Sequence, residues 1–272
     1  MTPSHARGEH VPVIARDAAT VVLARDAPAG VAVLLLERHG SSRMAPGAFA
    51  FPGGRVEPSD APPDADRLCR RLTAEAAAAI LSDVTPPERA IGFWIAALRE
   101  VFEETGLLLA HDRDGAPVAP DARAAARLAE SRQRCRADSG AFRALLLEEG
   151  LRLATDRMAY WAHWITPEER PVRYDTRFFV AAALPHGTVD PDGVEVVGFR
   201  WLTPEAALAQ HRAGDLTLPG VTQEILASVG AYPSVVALLA GAPSREIRPI
   251  RPRIVIRDGQ EKILLPDDPG WF

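Results

Sequence analysis

The sequence predicts a mixed α/β (α+β) chain: a mixed β-sheet accompanied by helices. Three observations carry this. Short apolar, β-branched or aromatic runs recur at 19–23, 31–36, 157–165, 171–180 and 195–201, each of strand length and flanked by turn residues. An amphipathic pattern with a period near 3.6 starts at about Ile91 and ends before Gly106. The 272 residues are 47% hydrophobic, enough for one large domain, or one domain with appendages, around a sizeable core.

Taken in order, residues 1–10 read as a flexible tail. Val11–Ala24 reads as a strand, Asp26–Gly30 as a turn and Val31–Leu36 as a buried strand, together a hairpin. Arg38 to Gly54 is a loop carrying Arg38 and Arg43 and ending in Phe51-Pro-Gly-Gly54. Adjacent glycines let backbone groups approach a ligand or ion closely. Acidic residues Glu57 and Asp60 follow. Residues 58–90 look like an insertion holding one helix, capped by Asp64 or Asp66 and running to about Leu81. Thr85-Pro-Pro-Glu88 then turns the chain into the next helix. Loop-closure entropy grows slowly with length, so such an excursion costs little. It reads first as a tolerated surface excursion, with a lid or a homodimer contact as the alternatives.

The next helix concentrates charge. Ile91, Ile95, Leu98 and Phe102 share one stripe, and Glu100, Glu103 and Glu104 fall almost opposite it. Gly106 stands where a left-handed residue ends a helix. Like charges three and four residues apart each destabilise a helix by about 0.2–0.5 kcal/mol. Two of the three carboxylates also sit near the C-terminus, the unfavourable end of the dipole. A divalent cation would remove both penalties, and hard oxygen ligands suit Mg²⁺ or Mn²⁺. The competing reading is a solvated acidic face paired with Arg99.

Beyond it, 110–150 carries two helical patterns, 120–136 and 139–149, read as an elaboration on the core domain. The 157–165 strand includes His163, read as packed or paired. On the 171–180 strand Arg173, Asp175 and Arg177 share one face, and Tyr174, Thr176 and Phe178 the other. Arg173 and Arg177 are candidate substrate-binding residues, with an ion pair to Asp175 as the alternative. Val189–Gly193 is a turn; Asp190 and Asp192 are candidate acids or turn formers. Glu195 opens the next strand. Thr203-Pro204 caps a helix, 219–228 and 233–239 read as further helices, and 253–265 as a hairpin with an Asp258-Gly259 turn. Residues 210–272 therefore read as a C-terminal extension packed on an 11–209 domain.

Composition narrows the function. The net charge is −5 and no basic stripe points to nucleic acid. Lys262 is the only lysine, so arginine is the available phosphate ligand. Cys69 and Cys135 have no metal-ligand spacing and read as free thiols of a reducing compartment. No apolar run reaches membrane-spanning length, the opening residues lack the apolar run of a signal peptide, and the closing Pro-Gly-Trp-Phe is not a Ser-Lys-Leu address. The expected location is cytoplasmic, with no membrane partner.

Gly54, Asp60, Arg99-Glu-Val-Phe-Glu-Glu104, Gly106 and Leu107 together resemble the Nudix box. Asp60 stands where that box has a glutamate, and 38 residues separate it from Arg99 where the box has seven. A box split this way resembles the peroxisomal coenzyme A diphosphatases and their bacterial relatives. Arg43, Gly47 and Phe51-Pro-Gly-Gly54 resemble the coenzyme A motif of that branch, with His39 where the motif has serine.

The resemblance implies an α/β/α sandwich that hydrolyses a nucleoside diphosphate derivative with Mg²⁺ or Mn²⁺. Coenzyme A or acyl-CoA is the first choice. An ADP-ribose, NADH or nucleotide-sugar pyrophosphatase and a non-catalytic ligand-sensing domain are the alternatives. It implies that the Gly53 carbonyl, Glu103 and Glu104 hold the ions, with Glu100 as ligand or base. Glu195 would be a further ligand or base, Arg99 would orient a glutamate, Asp60 would support the loop, and Arg38 and Arg43 would meet phosphate.

Overall fold

The computed structural model of the chain describes residues 13–42, 45–184, 187–257 and 259–271. The expected 1–10 tail, the strand start at Val11, Arg43 and the turn residue Asp258 lie outside the described residues. The first half runs β1 (Arg16–Ala27), β2 (Gly30–Arg38), β3 (Phe49–Ala50), β4 (Gly53–Arg55), α1 (Ala65–Leu68), α2 (Ala74–Ile80), α3 (Ile91–Thr105) and β5 (Ala110–His111). Then come α4 (Ala122–Ala137), α5 (Gly140–Glu149), β6 (Arg152–Leu153), β7 (Met158–Ile165), β8 (Tyr174–Ala182) and β9 (Val196–Leu202). The remainder is α6 (Pro204–Ala213), α7 (Gly220–Val229), α8 (Val235–Gly241), β10 (Pro249–Ile250), β11 (Arg253–Arg257) and β12 (Gln260–Leu264).

Eight strands form one mixed sheet, with β10, β7, β8, β1, β2 and β3 in order, β4 on β1 and β9 on β2. The strand β1 organises it. It runs parallel to β8 along most of its length. Its second half pairs with β2 at Ala24–Ala27, and its first half pairs with β4 at Ala18–Thr20. This change of partner lets the glycine corner lie directly on β1.

Alternation along the strands separates two cores. Val21 and Leu23 of β1 and Leu34 and Leu36 of β2 face α3, the insertion and α4–α5. Val22, Ala24, Val33 and Leu35 face Ala207, Ile225, Leu226, Val229 and Leu238 of α6–α8. The result is the expected α/β/α sandwich. Residues 210–250 thus supply, with the first turns of α6, the second covering layer of the sheet. Among the described residues no helix is long and apolar enough to cross a membrane. Cys69 and Cys135 are unbonded, and burial pushes both thiols up to about 12.

One sequence expectation changes in detail, and one competing reading falls. The single helix expected in the insertion is broken into α1 and α2. The Thr73 hydroxyl accepts from Ala76 N at 3.1 Å and starts a second helix. Between the two, Cys69 bridges to Leu153 and Arg70 N bonds Leu153 O at 3.1 Å, which pulls the chain out of helical geometry. The acidic side of α3 is not a solvated face: 13 of its 15 residues are buried, including Arg99 and Glu104. Gly92 explains part of this, since a Cβ there would stand 3.2 Å from the Ala61 Cβ.

The charged face of β8 serves a structural purpose. Arg177 donates to Asp175 and, at 2.7 Å, to Asp83 of the insertion, and stacks 5.3 Å from the Phe93 ring. His163 Nε2 lies 2.6 Å from Asp175 Oδ1. The network pins the insertion to the sheet. Burial works against the Asp175 carboxylate, but the His163 hydrogen bond and the Arg177 and His163 charges hold its pKa below the usual range. A depressed carboxyl stabilises the fold above its unfolded value, about 3.9, and that contribution is lost as pH falls through the folded value. Asp175→Asn is therefore expected to lower the denaturation midpoint at pH 7. The gap to wild type should close below about pH 4, as read by urea titrations across pH.

Candidate active site

The site begins with close backbone approach. A Cβ on Gly53 would stand 2.5 Å from the Ala19 carbonyl oxygen, and one on Gly54 would stand 2.4 Å from the Glu100 carboxyl carbon. A side chain at Gly53 would run into the backbone of β1 and one at Gly54 would displace the Glu100 carboxylate, so β4 presses against β1 on one side and α3 on the other. Gly53 N donates to Glu104 Oε2 at 3.0 Å. The glycine corner and the acidic side of α3, far apart in sequence, are one surface.

Arg99 closes that surface. It is 3% exposed and lies against Asp60, which is 1% exposed. Its Nε donates to Asp60 Oδ1 at 2.8 Å and its Nη2 to Asp60 Oδ2 at 3.0 Å. The remaining donors reach Arg55 O at 2.8 Å, Glu100 Oε1 at 2.8 Å and Glu103 Oε1 at 3.1 Å. Asp60 also accepts from Glu57 N at 2.8 Å. One guanidinium therefore ties the loop before the insertion to the helix after it. These bonds and charges outweigh burial and hold the guanidinium protonated.

The glutamates carry surplus negative charge. Burial, with the charge of Glu103 adding to it, pushes Glu100 up to about 7 against the pull of Arg99. Burial, reinforced by Glu100 and Glu195, raises Glu104 well above the ordinary range against the Gly53 amide and Arg38. Burial raises Glu103, and Glu195 contributes there too. Glu195 is itself exposed, yet its charge reaches both helix glutamates. Asp192 fixes it: Oδ1 accepts from Val194, Glu195 and Val196 amides at 2.8–2.9 Å. Asp192 is thus the turn former of the pair left open by sequence. Asp190 pairs with Arg132 at 2.9 Å.

These residues line a cleft of about 1020 Å³. Glu100, Glu103, Glu104 and Glu195 form its acidic wall, and Arg38, Arg136 and Arg173 also line it. Arg173 also donates to Thr166 O at 3.1 Å and Val13 O at 2.6 Å, which holds the cleft edge together. Arg177, expected at substrate, is not in this lining. The cleft meets the Tyr174, Thr176 and Phe178 face of β8, whereas Arg177 points to the opposite face and Asp83. Arg132 and Arg136 were not singled out from sequence. Arg132 donates to Glu103 O at 2.9 Å and Arg136 reaches Asp192 at 3.2 Å. Their only local signal was four-residue spacing on an arginine-rich helix.

The donor set fits a hard divalent cation: several carboxylates, raised by burial and mutual repulsion, beside a backbone turn. As placed, no three acidic or histidine side chains among the described residues converge on one point. Arg99 holds Glu100 and Glu103, and the Gly53 amide holds Glu104. A cation would compete with these contacts. Arg99→Leu is expected to cost about 3–5 kcal/mol in urea unfolding, because it strands the buried Asp60 carboxylate. Glu103→Gln, which removes one of the crowded charges, should cost far less.

The model of the NUDT19 Nudix domain matches residues 15–223. The acyl-coenzyme A diphosphatase NUDT19 of Gallus gallus is 31% identical over 250 residues, covering 75% of this chain and 65% of that protein. Its Homo sapiens counterpart is 33% identical over 220 residues, covering 70% of this chain and 58% of that protein. The chain thus spans less than two thirds of the length of these relatives. The crystal structure of a Nudix hydrolase from Alicyclobacillus acidocaldarius superposes with a TM-score of 0.68 at 27% identity, covering 84% of this chain and 96% of that one. A matched family model across most of the chain, on a split box closed by Arg99 and Asp60, places the protein in the NUDT19 Nudix domain family.

Proposed function

We propose that the protein is a divalent-metal-dependent hydrolase of the diphosphate bond in coenzyme A or acyl-CoA, giving 3′-phospho-AMP and a 4′-phosphopantetheine species. The observation that carries this reading is the gathering of Glu100, Glu103, Glu104 and Glu195 with Arg38, Arg136 and Arg173 in the lining of one cleft. That two of its relatives are acyl-coenzyme A diphosphatases supports the substrate. Mg²⁺ or Mn²⁺ bound there would neutralise phosphoryl oxygens and acidify an attacking water. Glu103, Glu104 and the Gly53 carbonyl would hold it. Glu100, raised to about 7, is suited to accept a proton near neutral pH. Glu195 stands within electrostatic reach as a further acid. Arg38 and Arg136 offer guanidinium partners for phosphates. Exposed Val13, Ile14 and Val172 at the cleft edge offer apolar surface for a pantetheine or acyl arm.

A pyrophosphatase of ADP-ribose, NADH or nucleotide sugars would use the same acidic wall. A ligand sensor without catalysis would not need all three helix glutamates, and this chain has them. Glu103→Gln and Glu104→Gln are each expected to lower metal-dependent turnover of CoA by about 10²-fold or more, with product masses identifying 3′-phospho-AMP. Turnover close to wild type in both would remove the assigned site. Turnover of ADP-ribose as fast as that of CoA would move the substrate to the other pyrophosphates.

A further inference from the structure

A second concavity, of about 800 Å³, lies between the insertion and the α4–α5 elaboration and shares no residue with the acidic cleft. Its walls hold Arg67, Arg70, Arg71, Arg113, Arg143 and Arg152. Only two acids, Asp64 and Asp112, stand among them, in a chain whose net charge is −5.

Two of the six are anchored. Arg143 grips Asp64 through both nitrogens, at 2.9 and 2.6 Å. Arg70 bonds Asp156 at 2.9 Å and Gly115 O at 3.3 Å. The other four are exposed and form no ion pair among the described residues. They are nevertheless placed. Arg152 Nε donates to Arg67 O at 3.2 Å, which joins the two backbones at the groove floor. Arg113 lies against Gly150, where a Cβ would come 2.2 Å from its Nε. Arg71 adopts φ 55, a left-handed backbone rare for a residue with a side chain. Strain held at a cluster of like charges is the pattern expected where a ligand offsets the repulsion.

We propose that this groove binds a small anion carrying two or more phosphoryl groups, as a site separate from the hydrolytic cleft. Guanidinium forks match phosphate oxygens two at a time, and no lysine is present here to act as a simple point charge. The groove joins the insertion, through Arg67, Arg70 and Arg71, to the elaboration, through Arg113, Arg143 and Arg152. Bound anion would therefore clamp the two together.

The test is calorimetric titration of the full chain, stripped of divalent cations, with inorganic tripolyphosphate at low salt. In that form the acidic wall of the cleft repels the probe. Saturable 1:1 binding is expected. The triple variant Arg67→Gln/Arg113→Gln/Arg152→Gln should weaken it about tenfold or more. A control pair on exposed α4, Arg123→Gln/Arg127→Gln, should leave it unchanged. The single variants Arg67→Gln and Arg152→Gln, measured in parallel, should each weaken binding even if the triple variant does not fold. A repeat with 3′-phospho-AMP on wild type and Arg67→Gln separates the sources: tighter binding that the variant weakens identifies a nucleotide in the groove, and weaker binding identifies an inorganic or polyphosphate anion. No binding by wild type, unchanged affinity in the single variants, or an equal loss in the control pair would overturn the proposal.

Discussion

The contact between Arg99 and Asp60 organises the site. It joins residues 39 positions apart through two short charge-assisted bonds in nearly solvent-free surroundings. Such a pair is weak evidence of net stability, since taking both charges out of water is costly. What it supplies is register. With Asp60 held, the corner at Gly53 and Gly54 cannot slide along α3, and Glu104 meets the Gly53 amide at 3.0 Å. The same guanidinium extends to Glu100 and Glu103, so the loop and the glutamates share a single support.

This arrangement explains how the box tolerates an insertion. Asp60 and Arg99 stay in contact whatever the chain does between them, and the excursion leaves and returns at that contact. The insertion is then held at two further points. Asp83 pairs with Arg177 at 2.7 Å, and Arg70 N bonds Leu153 O at 3.1 Å. The insertion is thus a layer stitched to β8 and to the elaboration.

The glutamates show the opposite balance. They are buried against one another, and their raised carboxyls record a local cost that folding alone gives no reason to retain. Perturbed groups of this kind, converging on a cleft, are where chemistry is expected. Stability comes from elsewhere, chiefly the two apolar layers on the faces of the sheet.

What lay within a few residues of sequence was legible. The strand-length apolar runs of β1 and β2, the apolar stripe of α3 and its end at Gly106, and the Thr203 cap all depend on local backbone geometry, and all appear where run length, periodicity and capping place them. The glycine corner and the acidic helix were legible as a pair because their residues resemble one known motif. The rest depended on partners distant in the chain. Which face of β8 meets the cleft is decided by β1 and α3, so Arg177 could not be separated from Arg173 by spacing. The break between α1 and α2 is set by Leu153, some 80 residues on, and Arg132 and Arg136 gain meaning only when α4 folds over the 190–195 turn. Sequence determined the elements and the chemistry they carry. Tertiary structure decided which charges face water, which face each other and which face the cleft, because burial and pairing are properties of the assembled layers.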